Sequence, residues 1–128
     1  MAAAWLLEQG YGVYIPFGHS PDVDLVTEID GQLVRVQVKS CRFRQNGRWC
    51  VAVCTRGGNQ SWSGIVKRMD SSRCDYLFVA VADGRRWFIP SSAIGGGTSI
   101  LLGGPRYARY EVEPGPPMPL PDGLELAV

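Results

Sequence analysis

HSPDVDLVTEIDGQLVRVQVKS, His19 to Ser40, is the stretch that decides how this chain folds. Val23–Ile29 is a strand-forming run, and Asp30-Gly31 is a two-residue signal for a tight hairpin turn. The returning run alternates Val34, Val36 and Val38 with Arg35, Gln37 and Lys39. A period of two sends the valines to one face, where they anchor the strand in a core, and the polar residues to the other. A hairpin closed at Asp30-Gly31 then folds Asp24 back toward Gln37 and Lys39. A carboxylate, an amide and an ammonium project from adjacent strands into one small volume.

On the N-terminal side, Ala2–Gln9 reads as the end of a helix stopped by Gly10. The run has no N-cap, so the helix is expected to begin upstream of Met1. Gly12–Phe17 is predicted as a strand. On the C-terminal side, Gln32–Arg44 is expected to form one continuous strand, and Asn46-Gly47 marks a second hairpin into a strand over Arg48–Thr55. Ser61–Met69 is predicted as a short helix carrying Lys67 and Arg68. Tyr76–Ala82 is a near-continuous apolar strand, expected to be buried on both faces. Asp83-Gly84 turns it back into a strand beginning at Arg85. Pro90–Ile94 reads as a helical turn, and Thr98–Leu102 as an edge strand. The final stretch, PGPPMPLPDGLELAV, is proline-rich and acidic and is expected to be extended or disordered. The pattern indicates an α+β fold with a mixed sheet, a domain over residues 1–113 and a flexible tail over 114–128.

The 128 residues suffice for one domain with a modest core. No apolar run approaches membrane-spanning length, and the start lacks the basic leader of a signal peptide, which points to a cytoplasmic protein without a membrane partner. The four cysteines form no CxxC pair and only one histidine is present, so buried free thiols are expected rather than a zinc site. The net charge of +1 hides a strong division. Residues 1–34 carry five acids and no lysine or arginine, whereas residues 35–73 carry nine basic residues and a single acid, Asp70. Such clustering suits a polyanion, because each phosphate neutralised releases counterions. It also suits a solvated face whose charges pair with the acidic ends.

The Asp24–Gln37–Lys39 constellation fits metal-assisted phosphodiester hydrolysis. Asp24 is a hard oxygen donor for Mg²⁺ or Mn²⁺, and the Gln37 side-chain carbonyl and the Val38 backbone carbonyl are neutral donors beside it. A bound divalent ion polarises a phosphoryl oxygen and acidifies water. Lys39 is placed to hold that water or to stabilise charge on the phosphate. The plainer alternative is a surface hairpin with a cross-strand Asp–Lys pair, worth under about 1 kcal/mol.

An aspartate before a hairpin, followed by acid-x-lysine on the returning strand, resembles the PD-(D/E)XK nuclease superfamily. The chain is similar in particular to group I intron homing endonucleases of this fold and to archaeal-type Holliday junction resolvases. The resemblance is carried by GYGVYIPFG before the motif, DLV after the first carboxylate, VRVQVKS, and YLFVAV followed by FIPSSAI, over roughly residues 4–102. It implies a restriction-endonuclease-like mixed β-sheet core with flanking helices. It also implies a Mg²⁺-dependent endodeoxyribonuclease.

Under this resemblance Asp24, rather than Asp22, matches the metal-binding aspartate, and Lys39 matches the family lysine. Gln37 stands where the second acid is usual, a substitution seen in homing-endonuclease-like members that removes one negative charge from the metal site. The family also usually supplies a glutamate from the first helix, at a position that falls just before Met1. Glu8 lies on the wrong helix face to replace it and is read as solvated. Either the chain start is truncated or a ligand has been lost. Ser40, Arg42, Arg44, Lys67, Arg68 and Arg73 are the expected DNA contacts, through the phosphate backbone. Asn59, Gln60 and Trp62 are further candidates for reaching bases, although Trp62 reads more readily as partial core packing. His19 reads as a turn residue. The expected partner is double-stranded or branched DNA. Cleavage of both strands implies a homodimer or higher homo-oligomer, with the Thr98–Gly103 edge as one contact surface unless the tail covers it. The expected function is that of a homing-endonuclease-like enzyme; a Holliday junction resolvase and a non-catalytic DNA-binding relative are the alternatives.

Overall fold

Asp30 and Gly31 both adopt positive φ, 51° and 79°. This is the turn whose twist matches that of flanking antiparallel strands. It joins β2 (Leu25–Ile29) to β3 (Gln32–Cys41), with Ile29 opposite Gln32 and Leu25 opposite Val36. The coordinates are a computed structural model, which describes residues 2–18, 23–53, 74–95 and 97–119 and the backbone of 55–56 and 66–67. His19, Asp22, Cys54, Asn59, Gln60, Trp62, Arg68 and Arg73, and the side chain of Lys67, lie outside the described residues.

The other strands are β1 (Gly12–Tyr14), β4 (Arg44–Gln45), β5 (Arg48–Ala52), β6 (Thr55–Arg56), β7 (Val66–Lys67), β8 (Tyr76–Val81), β9 (Arg86–Pro90), β10 (Ser99–Leu102) and β11 (Glu111–Val112). Six of them make the main sheet in the order β1-β2-β3-β8-β9-β11. Every pairing in it is antiparallel except β3 with β8, which runs parallel from Val36–Tyr76 to Cys41–Val81. A parallel pair needs a long crossover. Here the crossover contains β4 and β5, which join β10 in a separate three-stranded sheet ordered β10-β5-β4. The mixed sheet and α+β architecture expected from the sequence are therefore present.

Helix α1 (Ala2–Glu8) lies against one face of the main sheet. Ala2, Trp5 and Leu6 pack with Leu25, Val36, Phe78 and Ala80. Gly10, at φ 85°, ends the helix: its N–H donates to the Leu7 carbonyl, and that of Tyr11 reaches back to Leu6. Glu8 is exposed, as the sequence implied. On the opposite face Leu77, Val79, Val81, Trp87 and Ile89 pack with Trp49, Val51, Ile100 and Leu102 of the second sheet and with Val53 just beyond β5. This sandwiching is why β8 is buried on both sides. Cys41 and Cys74 are free and buried, and that burial is the main influence pushing both thiols above their usual pKa. Among the described residues no helix is long and apolar enough to cross a membrane.

Several expected bounds change: the strand predicted over Gly12–Phe17 ends at Tyr14, and that over Arg48–Thr55 ends at Ala52. The strand predicted over Gln32–Arg44 ends at Cys41. The Cys41 thiol accepts the Phe43 N–H at 3.3 Å and donates to the Cys50 carbonyl at 3.0 Å. These bonds turn the chain, so Arg44 pairs with Trp49 in the second sheet. The helix predicted over Ser61–Met69 is overturned at Val66–Lys67, which instead pairs antiparallel with Thr55–Arg56; strand pairing overrides the local helical reading there. Residues 114–119, read as flexible from composition, are extended but docked. Gly115 N–H donates to Gly84 at 2.8 Å, Met118 N–H to Ala82 at 3.0 Å, and Arg86 Nε to the Glu113 carbonyl at 2.8 Å.

One residue secures the parallel pairing. Asp75 Oδ2 accepts the Arg35 backbone N–H at 2.7 Å and its Nε at 3.1 Å, while Oδ1 accepts Nη2 at 3.1 Å. The Asp75 N–H returns a bond to the Arg35 carbonyl at 2.9 Å. The Arg35 guanidinium, the largest cause, holds the Asp75 carboxyl below its ordinary pKa. A carboxylate with a depressed folded-state pKa adds stability above its unfolded pKa and loses it as pH falls through the folded one. Thermal melts of Asp75→Asn against the unsubstituted protein should therefore show a gap at pH 7 that narrows toward pH 3; a gap independent of pH would contradict the ion pair's role. Gly84 sits at φ 99°, and a Cβ there meets the Gly115 backbone. Gly84→Ala should cost about 1–3 kcal/mol in denaturant unfolding and speed amide exchange at Gly115 and Met118.

Candidate active site

Strand β3 outruns its neighbour. Leu25 of β2 pairs with Val36, and residues 37–41 of β3 continue beyond that point alongside β8. Just before Leu25, the Asp24 N–H donates to the Val36 carbonyl at 2.9 Å. Asp24 and Leu25 thus share Val36 as partner, the two-against-one arrangement of a β-bulge, a device that re-aims a side chain at the end of a ladder. The Asp24 carboxylate turns onto β3, where Oδ2 accepts the Val38 N–H at 2.6 Å. This short charge-assisted bond fixes the carboxylate against the residue that separates Gln37 from Lys39.

Strand alternation then places the remaining groups. The N–H and C=O of one strand residue point the same way, so the Val38 carbonyl lies on the side of β3 that faces Asp24. Gln37 and Lys39 project to the face opposite Val36 and Val38 and stand level with Leu77 and Val79 of β8. Gln37 is buried, at 6% exposure, Lys39 is partly exposed and Asp24 is exposed. The polar set therefore grades from a sheltered amide to an open carboxylate.

These groups suit a divalent cation of the Mg²⁺ or Mn²⁺ type, since Asp24, Gln37 and the Val38 carbonyl are all hard oxygen donors. The Val38 N–H occupies one side of Asp24 Oδ2 and leaves Oδ1 for a further partner. Among the described residues no cluster of three histidine, cysteine or acidic side chains gathers anywhere. From the described residues an ion held here would draw one carboxylate and neutral oxygens. Mg²⁺ accepts such a set when substrate phosphates complete its shell.

The expected DNA contacts divide. Ser40 and Arg42 are exposed just beyond Lys39. Arg44 is exposed too, but its guanidinium lies 4.6 Å from the Trp49 ring centroid, so it is steered by a cation–π contact. Arg68 and Arg73, with the side chain of Lys67, fall outside the described residues. The Asp24 bulge was missed from sequence, since no residue type marks it. So was Arg106, which stands isolated at the end of an apolar run. Arg48 was counted in the basic middle without being given a place.

No curated protein gives a significant match to the sequence. Among solved structures, the chain is similar to a bacterial homing endonuclease, I-Ssp6803I. The TM-score is 0.69 at 23% identity, over 86% of this chain and 80% of that one, a likeness of fold. A family profile described as PD-(D/E)XK endonuclease matches residues 1–102, which include the whole of β2 and β3 and both flanking layers. By that match the chain belongs to the PD-(D/E)XK endonuclease family.

Proposed function

We propose that this protein is a metal-dependent DNA endonuclease that hydrolyses phosphodiester bonds at the mouth formed by Asp24, Gln37 and Lys39. The observation that carries the reading is the 2.6 Å bond from the Val38 N–H to Asp24, which sets the acid against the strand that bears the lysine. A divalent cation bound there supplies polarisation of the phosphoryl group and a more acidic water. Asp24 presents its second oxygen to the site while its first is fixed by the backbone. Gln37 contributes an amide oxygen from a sheltered position, where packing limits its rotamers. Lys39 directs its ammonium at the scissile phosphate, orients the attacking water and offsets charge developing on the phosphoryl oxygens. Ser40, Arg42 and Arg44, with Lys67, Arg68 and Arg73, carry the phosphate backbone past this point.

The homing-endonuclease-like reading is preferred over junction resolution. Glutamine at position 37 and the FIPSSAI segment support it, as does the fold shared with a bacterial homing endonuclease. Two-strand cleavage requires a homodimer or larger assembly. The described part of the tail docks at Ala82 and Gly84 and leaves β10 uncovered. A non-catalytic DNA-binding relative is the second reading; it draws on the single described carboxylate at the site.

Incubation with supercoiled plasmid and with a four-way junction, each with and without Mg²⁺ or Mn²⁺, separates these readings. Cation-dependent nicking supports the enzyme, and tight salt-sensitive binding without cleavage supports the relative. Lys39→Ala should lower nicking at least about 100-fold while leaving DNA affinity nearly unchanged; retained cleavage refutes the lysine's role. Arg42→Ala and Arg44→Ala should each reduce the slope of log affinity against log salt by up to about one unit. Fluorescence anisotropy over a salt series reads this directly, and an unchanged slope removes the residue from the interface.

A further inference from the structure

A cavity of about 410 Å³ opens on the second sheet, away from β3. It is lined by Arg48, at the start of β5, by Ser99–Leu101 of β10, by Gly95 and Gly97 before it, and by Arg106 and Tyr107 after it. No acid lines it. The two arginines have no ion-pair partner among the described residues, unlike Arg35, which pairs with Asp75, and Arg85, which pairs with Glu111. Both side chains are exposed, and each guanidinium lies against a glycine at the rim. That of Arg48 rests over Gly104, within 2.5–2.9 Å of where a Cβ would stand. Arg106 Nη2 passes 3.4 Å from the same point on Gly95, and its guanidinium carbon lies 5.3 Å from the Tyr107 ring centroid. Tyr107 is itself buried, at 3% exposure, and so forms a fixed platform.

Two guanidinium groups, Ser99 on the wall and no acid among the described lining residues suit a tetrahedral anion. Arginine's planar fork meets phosphate oxygens two at a time. We propose that this cavity is a phosphate-binding subsite that takes a backbone phosphate of the bound DNA, a second anchor on a different sheet from Asp24, Gln37 and Lys39. The inference rests on the nuclease reading and extends it: the duplex is gripped by the β4–β5–β10 sheet as well as by the end of β3. A phosphate held there fixes the register of the DNA on the protein without reading its sequence.

The test uses the full chain and a fluorescein-labelled duplex in EDTA, which prevents cleavage, over a series of salt concentrations. Arg48→Ala/Arg106→Ala should reduce the slope of log affinity against log salt by about one unit, the loss of one phosphate contact. Arg48→Lys/Arg106→Lys keeps the charge and loses the fork; it should retain the slope and bind more weakly. A folded alanine variant with the original slope overturns the subsite while the nuclease reading stands. Should the alanine variant fail to fold, the lysine variant decides, and unchanged affinity overturns the proposal. Absence of salt-sensitive DNA binding by the unsubstituted protein overturns both readings. In a parallel arm, inorganic phosphate and a free mononucleotide are titrated against the same variants by thermal shift. Stabilisation that requires both arginines and that duplex does not displace assigns the cavity to a free phosphate compound and overturns the DNA assignment.

Discussion

The parallel pairing of β3 with β8 is the constraint from which the rest of the molecule follows. Two parallel neighbours cannot be joined by a tight turn, so the chain must leave the sheet after Cys41 and return at Tyr76. The connection is used to build a second sheet. That sheet supplies Trp49 and Val51, which with Val53 just beyond β5 cover the face of β8 that α1 does not reach. Without it, Leu77, Val79, Trp87 and Ile89 would face water. Asp75 makes the pairing specific, because its carboxylate bonds both the backbone and the guanidinium of Arg35 at the point where the parallel register begins.

The same pairing explains where polar chemistry is tolerated. The α1 face of β3 is filled by Val36, with Val38 packed against the cluster. On its other face the second sheet reaches Cys41, while Gln37 is sheltered without being displaced by an apolar side chain. Strand β2 stops at Leu25, so among the described residues the strand edge beyond Val36 has no ladder on one side and is backed by β8 on the other. A rigid central strand with one open edge gives precise placement together with access. The bulge at Asp24 uses both properties, since the backbone amide of Val38 is free to be claimed by a carboxylate only because the ladder has ended.

Much of this was legible in the residues. Asp30-Gly31 and Asn46-Gly47 sit at turns with positive φ throughout, and the alternation of Val34, Val36 and Val38 with Arg35, Gln37 and Lys39 sets the two faces correctly. Leu77–Val81 is buried as its composition required. In residues 114–119 composition registers the want of a ladder but not the partners that replace one: Gly84 and Ala82 offer carbonyls that Gly115 and Met118 take. Val66–Lys67 was misread for a related reason, since a short run has little preference of its own and takes the structure of whatever it pairs with. The break after Cys41 depends on a thiol bonded to a carbonyl nine residues further along, which no periodicity records.

For the candidate site, the sequence by itself determined the residue types, their spacing and their faces. Gln37 and Lys39 share a face by a period of two, and the fixed turn brings Asp24 to the same end of the hairpin, both of them local properties of the chain. Only the tertiary structure decided the aim of the carboxylate, the depth of Gln37 and the gathering of Arg48 and Arg106 about one cavity. Those features arise from where one strand ends against another and from which sheet covers which face. They are contacts between segments far apart in the chain, and burial and hydrogen bonding across such distances leave no local signature in the order of residues.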